Sequence, residues 1–349
     1  MQLDKNYLLS IAIPTRNRSV ELVECLQNLV SEIRKTNEHI EVVVSDNASS
    51  DSTPSVLHEF SLTYDFIRYV RMEINMGFDL NLINAIENST GMYIWTFSDD
   101  DIIANGSLVA ICDIIKKHEP SYIITAFNQF TVIGGKKLFT RQDQVIRKNK
   151  KNITKEYKDE NFITILVKMM TTMTFLSINI FKSNKINLFL VKNNINRVRS
   201  FSHIYMMAQA TINGGGYITP LICVSQRTDN SNAKLSVFLK SLPETFSFIF
   251  DEFSIDSQFR TWFFKKIMKE SFSIRGLLYI TASLKINDEV RDIKNDIDYR
   301  INSKAITSYF SFIFPLIPKS FVLLGVKTVR YMKGKGFNLD NQDREVRFS

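Results

Sequence analysis

The chain has 349 residues, of which 44% are hydrophobic and 23% are charged, and this balance excludes a disordered or fibrous protein. Its formal net charge of +8 predicts an anionic partner, which is a nucleic acid, a phosphorylated small molecule or a membrane surface. The three widely spaced cysteines, Cys25, Cys112 and Cys223, form neither a disulfide framework nor a metal-binding cluster, and they indicate a reducing compartment.

The first hundred residues alternate between strand and helix patterns. Four apolar runs have the length of strands: residues 8–13, 40–45, 67–72 and 92–98. Between them, segments that begin at Ser19, Thr53 and Phe78 place apolar residues at helical spacing. Continuously apolar strands that alternate with helices predict a parallel sheet covered by helices on both faces.

Farther along, the patterns become less regular. A helix begins at Asn105 or Ser107, a strand follows over residues 122–130, and a hairpin turns through Gly134 and Gly135. Residues 141–160 are charged and poor in apolar side chains, which is typical of a mobile loop or a linker. After residue 240, long aromatic-rich segments predict helices.

Polar clusters follow three of the predicted strands. They are PTRNR after the first strand, SDNASSDS after the second and SDDD after the fourth. Ligands of open α/β sheets bind at the carboxyl ends of the strands, so the three clusters are expected to meet at one edge of the sheet.

Asp99, Asp100 and Asp101 place three carboxylates in a row at this edge. Two like charges about 4 Å apart cost roughly 4 kcal/mol at an effective dielectric of about 20, so a cation is the natural remedy. Hard oxygen ligands favour Mg²⁺ or Mn²⁺, which commonly complete their shells with water and a substrate phosphate. The alternative is an exposed acidic turn that begins the next helix.

Several linked motifs resemble those of a known enzyme family. SIAIPTRNR, VVVSDNASSDST and NMGFDLNLINAIENSTGMYIWTFSDDD, in this order and spacing, resemble family 2 glycosyltransferases of the GT-A fold, most closely the bacterial O-antigen abequosyltransferase-like group. The resemblance is specific over residues 8–110, weaker to about residue 230 and absent beyond. It implies a Rossmann-like α/β domain with a mostly parallel sheet over residues 1–235. Residues 236–349 would form a helical, aromatic and basic extension.

The resemblance also implies which residues bind the nucleotide sugar. Pro14, Thr15 and Arg16 would line the nucleotide site, Asp46 and Asn47 would lie at the base, and Asn75, Gly77 and Asn81 would lie under the sugar. A carboxylate such as that of Asp46 can accept a hydrogen bond from a base N–H. The alternative is that Asp46 is a turn residue and that Gly77 only begins a helix.

The acidic motif of the family is usually written Asp-x-Asp-Asp, and Ser98 stands where the first Asp is often found. The resemblance therefore implies Asp99, Asp100 and Asp101 as metal residues, with Asp100 as the direct ligand and Asp99 also at the diphosphate. Arg227 follows a later strand where relatives place a basic residue near the diphosphate, and a guanidinium suits phosphate oxygens. The alternative for Arg227 is a solvated loop arginine.

An inverting glycosyltransferase needs a general base for the acceptor hydroxyl. Many relatives carry a Glu-Asp pair about eleven residues before a Gly-rich turn, and in this chain that position is taken by His203. A histidine can serve as a base near neutral pH. A lone histidine before an apolar helix is also commonly structural.

The C-terminal segment from Lys304 to Ser349 has eight basic and three acidic residues, with phenylalanines between them. Its apolar run is interrupted by prolines, so it fits an in-plane contact with a membrane surface better than a membrane span. The alternative is an ordinary helical end.

Together these features predict a glycosyltransferase that uses Mg²⁺ or Mn²⁺. It would move a sugar from a nucleotide diphosphate sugar onto a hydroxyl of a saccharide acceptor, as part of a lipid-linked bacterial surface polysaccharide. Because the N-terminus lacks a secretory signal pattern, we expect a cytoplasmic enzyme, peripheral at the cytoplasmic face of the inner membrane.

Two other protein classes remain open from the sequence. A non-catalytic scaffold with the same fold would account for the missing Glu-Asp pair, and a nucleotidyltransferase would share the sheet but normally has a Gly-rich phosphate loop. Nucleic acid is not expected as a partner, because the basic residues do not interleave with aromatic residues on a known module.

Overall fold

A computed structural model describes residues 7–140, 156–169, 172–212, 214–228 and 241–271. The chain divides into two units at the junction of Asn230 and Ser231. The domain boundary expected at residue 235, the expected linker over 141–155 and the expected membrane-contacting tail from Lys304 lie outside the described residues.

The N-terminal half alternates strands and helices as the sequence predicts. The strands are β1 (Leu9–Thr15), β2 (Ile40–Asp46), β3 (Ile67–Arg71) and β4 (Tyr93–Thr96). The helices between them are α1 (Ser19–Ile33), α2 (Thr53–Thr63) and α3 (Phe78–Glu87). Strands β1, β2 and β4 are buried along their whole length, which explains their continuous apolar sequences, whereas the edge strand β3 is partly exposed.

These four strands are parallel and lie in the order β3-β2-β1-β4. The chain moves in one direction from β1 to β3 and then returns across the sheet to β4. Right-handed crossovers therefore place α1 and α2 on one face and α3 on the other. This reversal puts the carboxyl ends of β1 and β4 side by side, which is where open α/β sheets bind ligands.

The second half of the N-terminal unit extends the same sheet. Its strands are β5 (Ile102–Ile103), β6 (Tyr122–Ile133), β7 (Lys136–Thr140), β8 (Tyr157–Glu160), β9 (Asn179–Lys182) and β10 (Gly216–Arg227). Its helices are α4 (Ser107–His118), α5 (Phe162–Met169), α6 (Leu188–Asn193) and α7 (Ser202–Ile212). Short 3-10 turns cover Leu176–Ile178 and Ser183–Lys185.

This second half is mixed rather than parallel, which corrects the expectation of a mostly parallel sheet. Strand β9 comes late in the chain but inserts antiparallel between β4 and β6, and β10 continues the order beyond β6. Residues Tyr157–Glu160 pair with β10, so this stretch is an edge strand and not the predicted loop or linker. The predicted hairpin is confirmed: β6 and β7 pair through Gly134 and Gly135, both with positive φ.

The second unit is described over two helices, α8 (Leu242–Glu252) and α9 (Ser257–Ser271). The buried rings of Phe246 and Phe250 pack against Phe263, with centroid distances of 4.7 and 5.1 Å. The aromatic-rich helical pattern is thus confirmed for this stretch. Among the described helices, none has both the length and the apolar character needed to cross a membrane.

Candidate active site

The carboxyl ends of β1 and β4 bring the first and third polar clusters together. The Thr15 hydroxyl, at the end of β1, donates to Asp99 Oδ2 at 2.7 Å, just beyond β4. The second cluster joins them, because the backbone N–H of Asn47 donates to the carbonyl of Thr15 at 3.0 Å. The expectation that the three clusters meet at one edge of the sheet is therefore confirmed.

Arg18, in the turn between β1 and α1, links the first two aspartates. Its Nη1 lies 3.3 Å from Asp99 Oδ1 and also donates to Asp100 Oδ2. The side chains of Asp99 and Asp100 are only 7% and 10% exposed, and that of Arg18 is 23% exposed. One cationic group thus serves two largely buried carboxylates.

The charges in this cluster shift one another's pKa values. Burial, opposed by the Arg18 guanidinium and reinforced by Asp100, raises the pKa of Asp99 to about 7. Burial alone would lower the pKa of Arg18, but the two aspartates hold it above its ordinary value. Arg18 is therefore a permanent positive charge at this edge of the sheet.

Asp101 is held in a different way. Its Oδ2 accepts from the Ser177 hydroxyl at 2.6 Å and its Oδ1 accepts from the backbone N–H of Arg227 at 3.0 Å. The Ser177 hydroxyl also accepts from the backbone N–H of Ser98 at 2.9 Å. Burial and the neighbouring carboxylate of Asp100 raise the pKa of Asp101 well above its usual range. Asp101 therefore fastens the acidic loop to the 3-10 turn before β9 and to the end of β10.

Asp46 lies at the end of β2, where the resemblance places the nucleotide base. It is fully buried, and its Oδ1 accepts from the backbone N–H of Ser49 at 3.0 Å. Its Oδ2 lies 3.4 Å from Nε of the half-exposed Arg71 and makes no hydrogen bond among the described residues. A surface cavity of about 450 Å³ opens beside Arg71, between β3 and α3.

A second network braces the loop before α3. Asn47 Nδ2 donates to Asn75 Oδ1 at 2.8 Å and to the Gly77 carbonyl at 3.1 Å. Gly77 has a φ of +85°, a conformation that favours glycine, at the start of α3. Asn81 donates to the Thr15 carbonyl at 3.1 Å, so these predicted site residues are joined to one another and to β1.

Three more predicted residues, Pro14, Arg16 and Arg227, lie at the same edge of the sheet. Pro14 is buried within β1, and Arg16 is exposed in the turn that follows. Arg227 reaches Glu21 of α1, with 3.9 Å between Nη1 and Oε1. Pro14, Arg16 and Arg227 thus differ in exposure but all belong to the carboxyl edge of the sheet.

His203 lies in the first turn of α7 and is 2% exposed. Its Nε2 is 3.2 Å from the Thr174 carbonyl, while its Nδ1 has no hydrogen-bond partner among the described residues. Burial lowers the pKa of His203 to about 4, which makes it a weak base. Such burial is typical of a structural histidine, the alternative that the sequence leaves open for His203.

Three residues that sequence reasoning did not select have defined roles here. Arg18 and Ser177 hold the aspartates, and Asp79 accepts from the backbone N–H groups of Ser200 and Ser202 at 2.6 and 3.3 Å, at the start of α7. Arg18 lies inside the PTRNR cluster, two residues after Arg16, so its position in that cluster could have identified it as a site residue. Ser177 and Asp79 act across 76 or more residues of sequence, and no local pattern marks them.

The carboxylates of Asp99 and Asp100 fit a divalent cation, because they are hard oxygen ligands and share only one positive charge, that of Arg18. In the described part of the chain, however, no group of three or more His, Cys, Asp or Glu side chains is arranged to hold a metal ion. Asp101 has both oxygens occupied by Ser177 and Arg227, which explains why the three aspartates do not converge. Asp99 and Asp100 are thus the two residues of the triplet that could meet a cation together.

Comparison with known proteins agrees with this geometry. The sequence of residues 10–178, from β1 to the turn before β9, matches the family described as Glycosyl transferase family 2. Residues 10–178 belong to glycosyltransferase family 2. This family 2 domain contains all three polar clusters, Arg18 and Ser177.

Curated relatives of the family 2 domain are bacterial. The chain is 35% identical over 117 residues to abequosyltransferase RfbV of Salmonella typhimurium, which is 33% of this chain and 35% of the relative. It is 31% identical over 101 residues to the GalNAc(5)-diNAcBac-PP-undecaprenol beta-1,3-glucosyltransferase of Campylobacter jejuni, 29% of this chain and 32% of the relative. The chain therefore aligns with about a third of the length of these relatives.

Solved structures share the fold over a longer stretch. The crystal structure of S. aureus TarS in complex with UDP-GlcNAc superposes with a TM-score of 0.58 and 16% identity, covering 96% of this chain and 94% of that chain. A mannosyltransferase from Pyrobaculum calidifontis in complex with GDP-Man and Mn²⁺ has a TM-score of 0.50 and 11% identity, covering 95% and 89%. The family 2 domain thus has the GT-A fold.

Proposed function

We propose that this protein transfers a sugar from a nucleotide diphosphate sugar onto a hydroxyl of a bacterial surface polysaccharide. The observation that carries the proposal is the pair Asp99 and Asp100, held with Thr15 and Arg18 at the carboxyl ends of β1 and β4 inside a family 2 domain. Ligands of such sheets bind at this switch point.

The buried Asp46 supports a role in donor binding. Its Oδ2 is an acceptor without a hydrogen bond among the described residues, as a nucleobase N–H would require. Arg71 lies beside it and Arg227 lies at the far end of the same edge, so both flanks of the site carry a guanidinium. Two solved structures of the same fold are described with UDP-GlcNAc and with GDP-Man, both of which are nucleotide diphosphate sugars.

A divalent metal, Mg²⁺ or Mn²⁺, completes the proposal. Asp100 would hold it, with Asp99 beside it, and when bound it would neutralise charge on the leaving diphosphate. The Pyrobaculum mannosyltransferase is described with Mn²⁺. In this chain Asp101 keeps the acidic loop in place, Thr15 orients Asp99, and Arg18 and Arg227 supply positive charge near the diphosphate. We further propose inversion at the anomeric carbon, as in the family 2 enzymes that the sequence resembles.

A lipid-linked acceptor at the membrane surface is part of the proposal. The name of the Campylobacter relative specifies an undecaprenol-linked saccharide as its acceptor. In this chain the β6–β7 hairpin exposes Ile133, Leu138 and Phe139 by 56%, 49% and 59%, next to the exposed Lys136. Residues 136–151 carry seven basic residues and one acidic residue, which suits an anionic lipid surface. We place the enzyme at the cytoplasmic face of the inner membrane on these grounds.

Calorimetric titration of the protein with UDP, GDP, CDP and dTDP, each with Mn²⁺, tests the donor site. We expect one nucleoside diphosphate to bind at least about tenfold more tightly than the others, because a buried acceptor such as Asp46 discriminates between bases. The Asp46→Asn variant should lose that preference, since its carboxamide cannot be the same acceptor. Equal and weak binding of all four would contradict the proposal. Tight binding of one, with no sugar transfer, would point instead to a non-catalytic scaffold.

A further inference from the structure

Arg18 is the cation on which Asp99 and Asp100 converge. Its Nη1 alone reaches both carboxylates, Asp99 Oδ1 at 3.3 Å and Asp100 Oδ2 at a shorter distance. The remaining oxygens of the pair are occupied as well, Asp99 Oδ2 by Thr15 and Asp100 Oδ1 by the Ser98 hydroxyl at 2.7 Å. The pair therefore has no oxygen without a protein donor.

A divalent cation and the Arg18 guanidinium compete for the same oxygens. Asp99 and Asp100 together carry at most two negative charges, whereas a divalent ion beside a retained guanidinium would bring three positive charges into a largely buried site. Like charges repel more strongly in such a site than in water, because the effective dielectric is much lower. Metal binding thus requires Arg18 to move away from the two carboxylates.

Arg18 has other anionic partners within reach. It precedes α1, and Glu21, in the first turn of that helix, contributes to the raised pKa of Arg18. A donor diphosphate would present oxygens that match a guanidinium fork. Arg18 is 23% exposed on the side chain, so it borders the open side of the site rather than the core.

We propose that Arg18 is the resident counter-cation of the Asp99–Asp100 pair, and that tight metal binding requires Arg18 to leave the pair for the donor diphosphate. This inference rests on the proposed metal-dependent donor binding and adds a residue-level cause for the coupling between the two ligands. In the free enzyme, Arg18 partly neutralises the two carboxylates and holds them in place. Metal and nucleotide diphosphate then bind together. The metal displaces Arg18 from the carboxylates, and the diphosphate accepts hydrogen bonds from the displaced guanidinium.

Titration of the protein with Mn²⁺ alone, followed by electron paramagnetic resonance of the unbound ion, tests this proposal. Arg18→Gln should bind Mn²⁺ at least about tenfold more tightly than the wild type, because the competing positive charge is gone. Arg18→Met keeps an unbranched apolar stem and should show the same gain. Arg18→Lys, which keeps a competing point charge, should stay within about threefold of the wild type.

The controls separate competition from general effects of charge. Arg34→Gln removes an exposed guanidinium that lies over the Tyr64 ring, and it should leave the Mn²⁺ affinity unchanged. The double variant with Arg18→Gln and Asp100→Asn should lose the gain, which locates the ion at the pair. Thermal melting reports whether each variant is folded.

Mn²⁺ affinities of Arg18→Gln and Arg18→Met equal to or weaker than that of the wild type would overturn the inference. Titration with the four nucleoside diphosphates separates this failure from failure of the proposed function. If the wild type binds one of them with Mn²⁺ but the variants gain nothing for Mn²⁺ alone, the donor site stands and the role of Arg18 falls. If the variants gain Mn²⁺ affinity and no nucleotide binds, the role of Arg18 stands and the proposed function falls.

Discussion

Each half of the large sheet has a buried carboxylate that accepts a hydrogen bond from a serine hydroxyl. The pKa values of these two carboxylates shift in opposite directions. Glu41, in the parallel half, accepts from Ser10 at 2.6 Å and pairs with Arg68 at 2.7 Å. Asp101, at the border of the mixed half, accepts from Ser177 at 2.6 Å and has no ion pair among the described residues. The pKa of Glu41 is lowered, whereas that of Asp101 is raised.

The difference indicates what each half of the sheet does. In the parallel half, the buried charge of Glu41 is neutralised by the adjacent Arg68, as structural stability requires. At the ligand edge, Asp99 and Asp100 share one close guanidinium, that of Arg18, and Asp101 has no ion pair among the described residues. We therefore assign Glu41 a structural role and propose a functional role for Asp99 and Asp100, and the following variants test that separation.

The largest effect is expected for Asp100→Ala. Turnover should fall by at least about a thousandfold, because the variant removes the proposed metal ligand at the leaving diphosphate. Thermal melting reports whether the variant is folded, because the Asp100 side chain is only 10% exposed. Steady-state sugar transfer with each nucleotide sugar measures the loss, and near-normal turnover would exclude Asp100 as the metal residue.

Glu41→Gln should act on stability and leave turnover intact. We expect a loss of about 2 kcal/mol in the free energy of unfolding, less than for a fully buried pair because Arg68 is half-exposed. Glu38→Gln, at an exposed pair with Lys116, is the matched control and should cost much less stability than Glu41→Gln. A drop in turnover with unchanged stability would reverse the assignment of Glu41 as structural.

Glu41 also predicts how the stability of the fold depends on pH. Burial would raise the pKa of Glu41, but hydrogen bonds from Ser10, Thr90 and Arg68 outweigh burial and lower it below 4.5. Glu41 therefore stabilises the fold above that pH, and its contribution is lost as the pH falls through the folded pKa. Urea unfolding of the wild type should show this decline, and Glu41→Gln should lack this component. Parallel curves for the two proteins would rule the contribution out.

Ser177→Ala tests the hold on Asp101. It leaves one oxygen of Asp101 and the backbone N–H of Ser98 without a partner, which should cost about 1–3 kcal/mol. Turnover should fall as well, because the acidic loop loses its tie to the mixed half. Ser183→Ala removes a hydroxyl that is bonded at the surface to the Met92 carbonyl, and it serves as the control. Equal stability of the two variants would contradict the account of Asp101.

The smallest effect is expected at the hairpin. Ile133→Asp and Phe139→Asp should each weaken binding to vesicles that contain phosphatidylglycerol by a few-fold, because each moves a charge into the apolar contact. Leu62→Asp changes a side chain that is 76% exposed elsewhere, on α2, and should have no effect. Transfer to a water-soluble acceptor should be unchanged in all three. Unaltered vesicle binding by both hairpin variants would remove this surface from the proposal.

Sequence patterns predicted the parallel half well because its information is local. Strands β1, β2 and β4 are apolar runs buried along their whole length, and each helix has its own apolar periodicity. The meeting of Thr15, Asp46 and Asp99 followed from one topological rule about parallel strands. The identity of Arg18 as the shared partner required side-chain geometry that no spacing reveals.

The mixed half was harder to predict because its pairings are long-range. Strand β9 lies between β4 and β6, more than 80 residues after β4 in sequence, and Tyr157–Glu160 is a charged edge strand with loop-like composition. Ser177 and the backbone of Arg227 reach Asp101 only through that arrangement. His203 was chosen by position in a motif, and burial gives it a pKa of about 4 instead of one near neutrality.

Release of nucleoside diphosphate from a panel of nucleotide sugars, with and without Mn²⁺, tests the central claim most directly. We predict that the wild-type protein hydrolyses one sugar donor slowly without acceptor, that Mn²⁺ accelerates this reaction, and that chelation abolishes it. The metal-dependent release should be absent from Asp100→Ala. No release from any donor, or equal release with and without Mn²⁺ in both proteins, would contradict a metal-dependent glycosyltransferase site at Asp99 and Asp100.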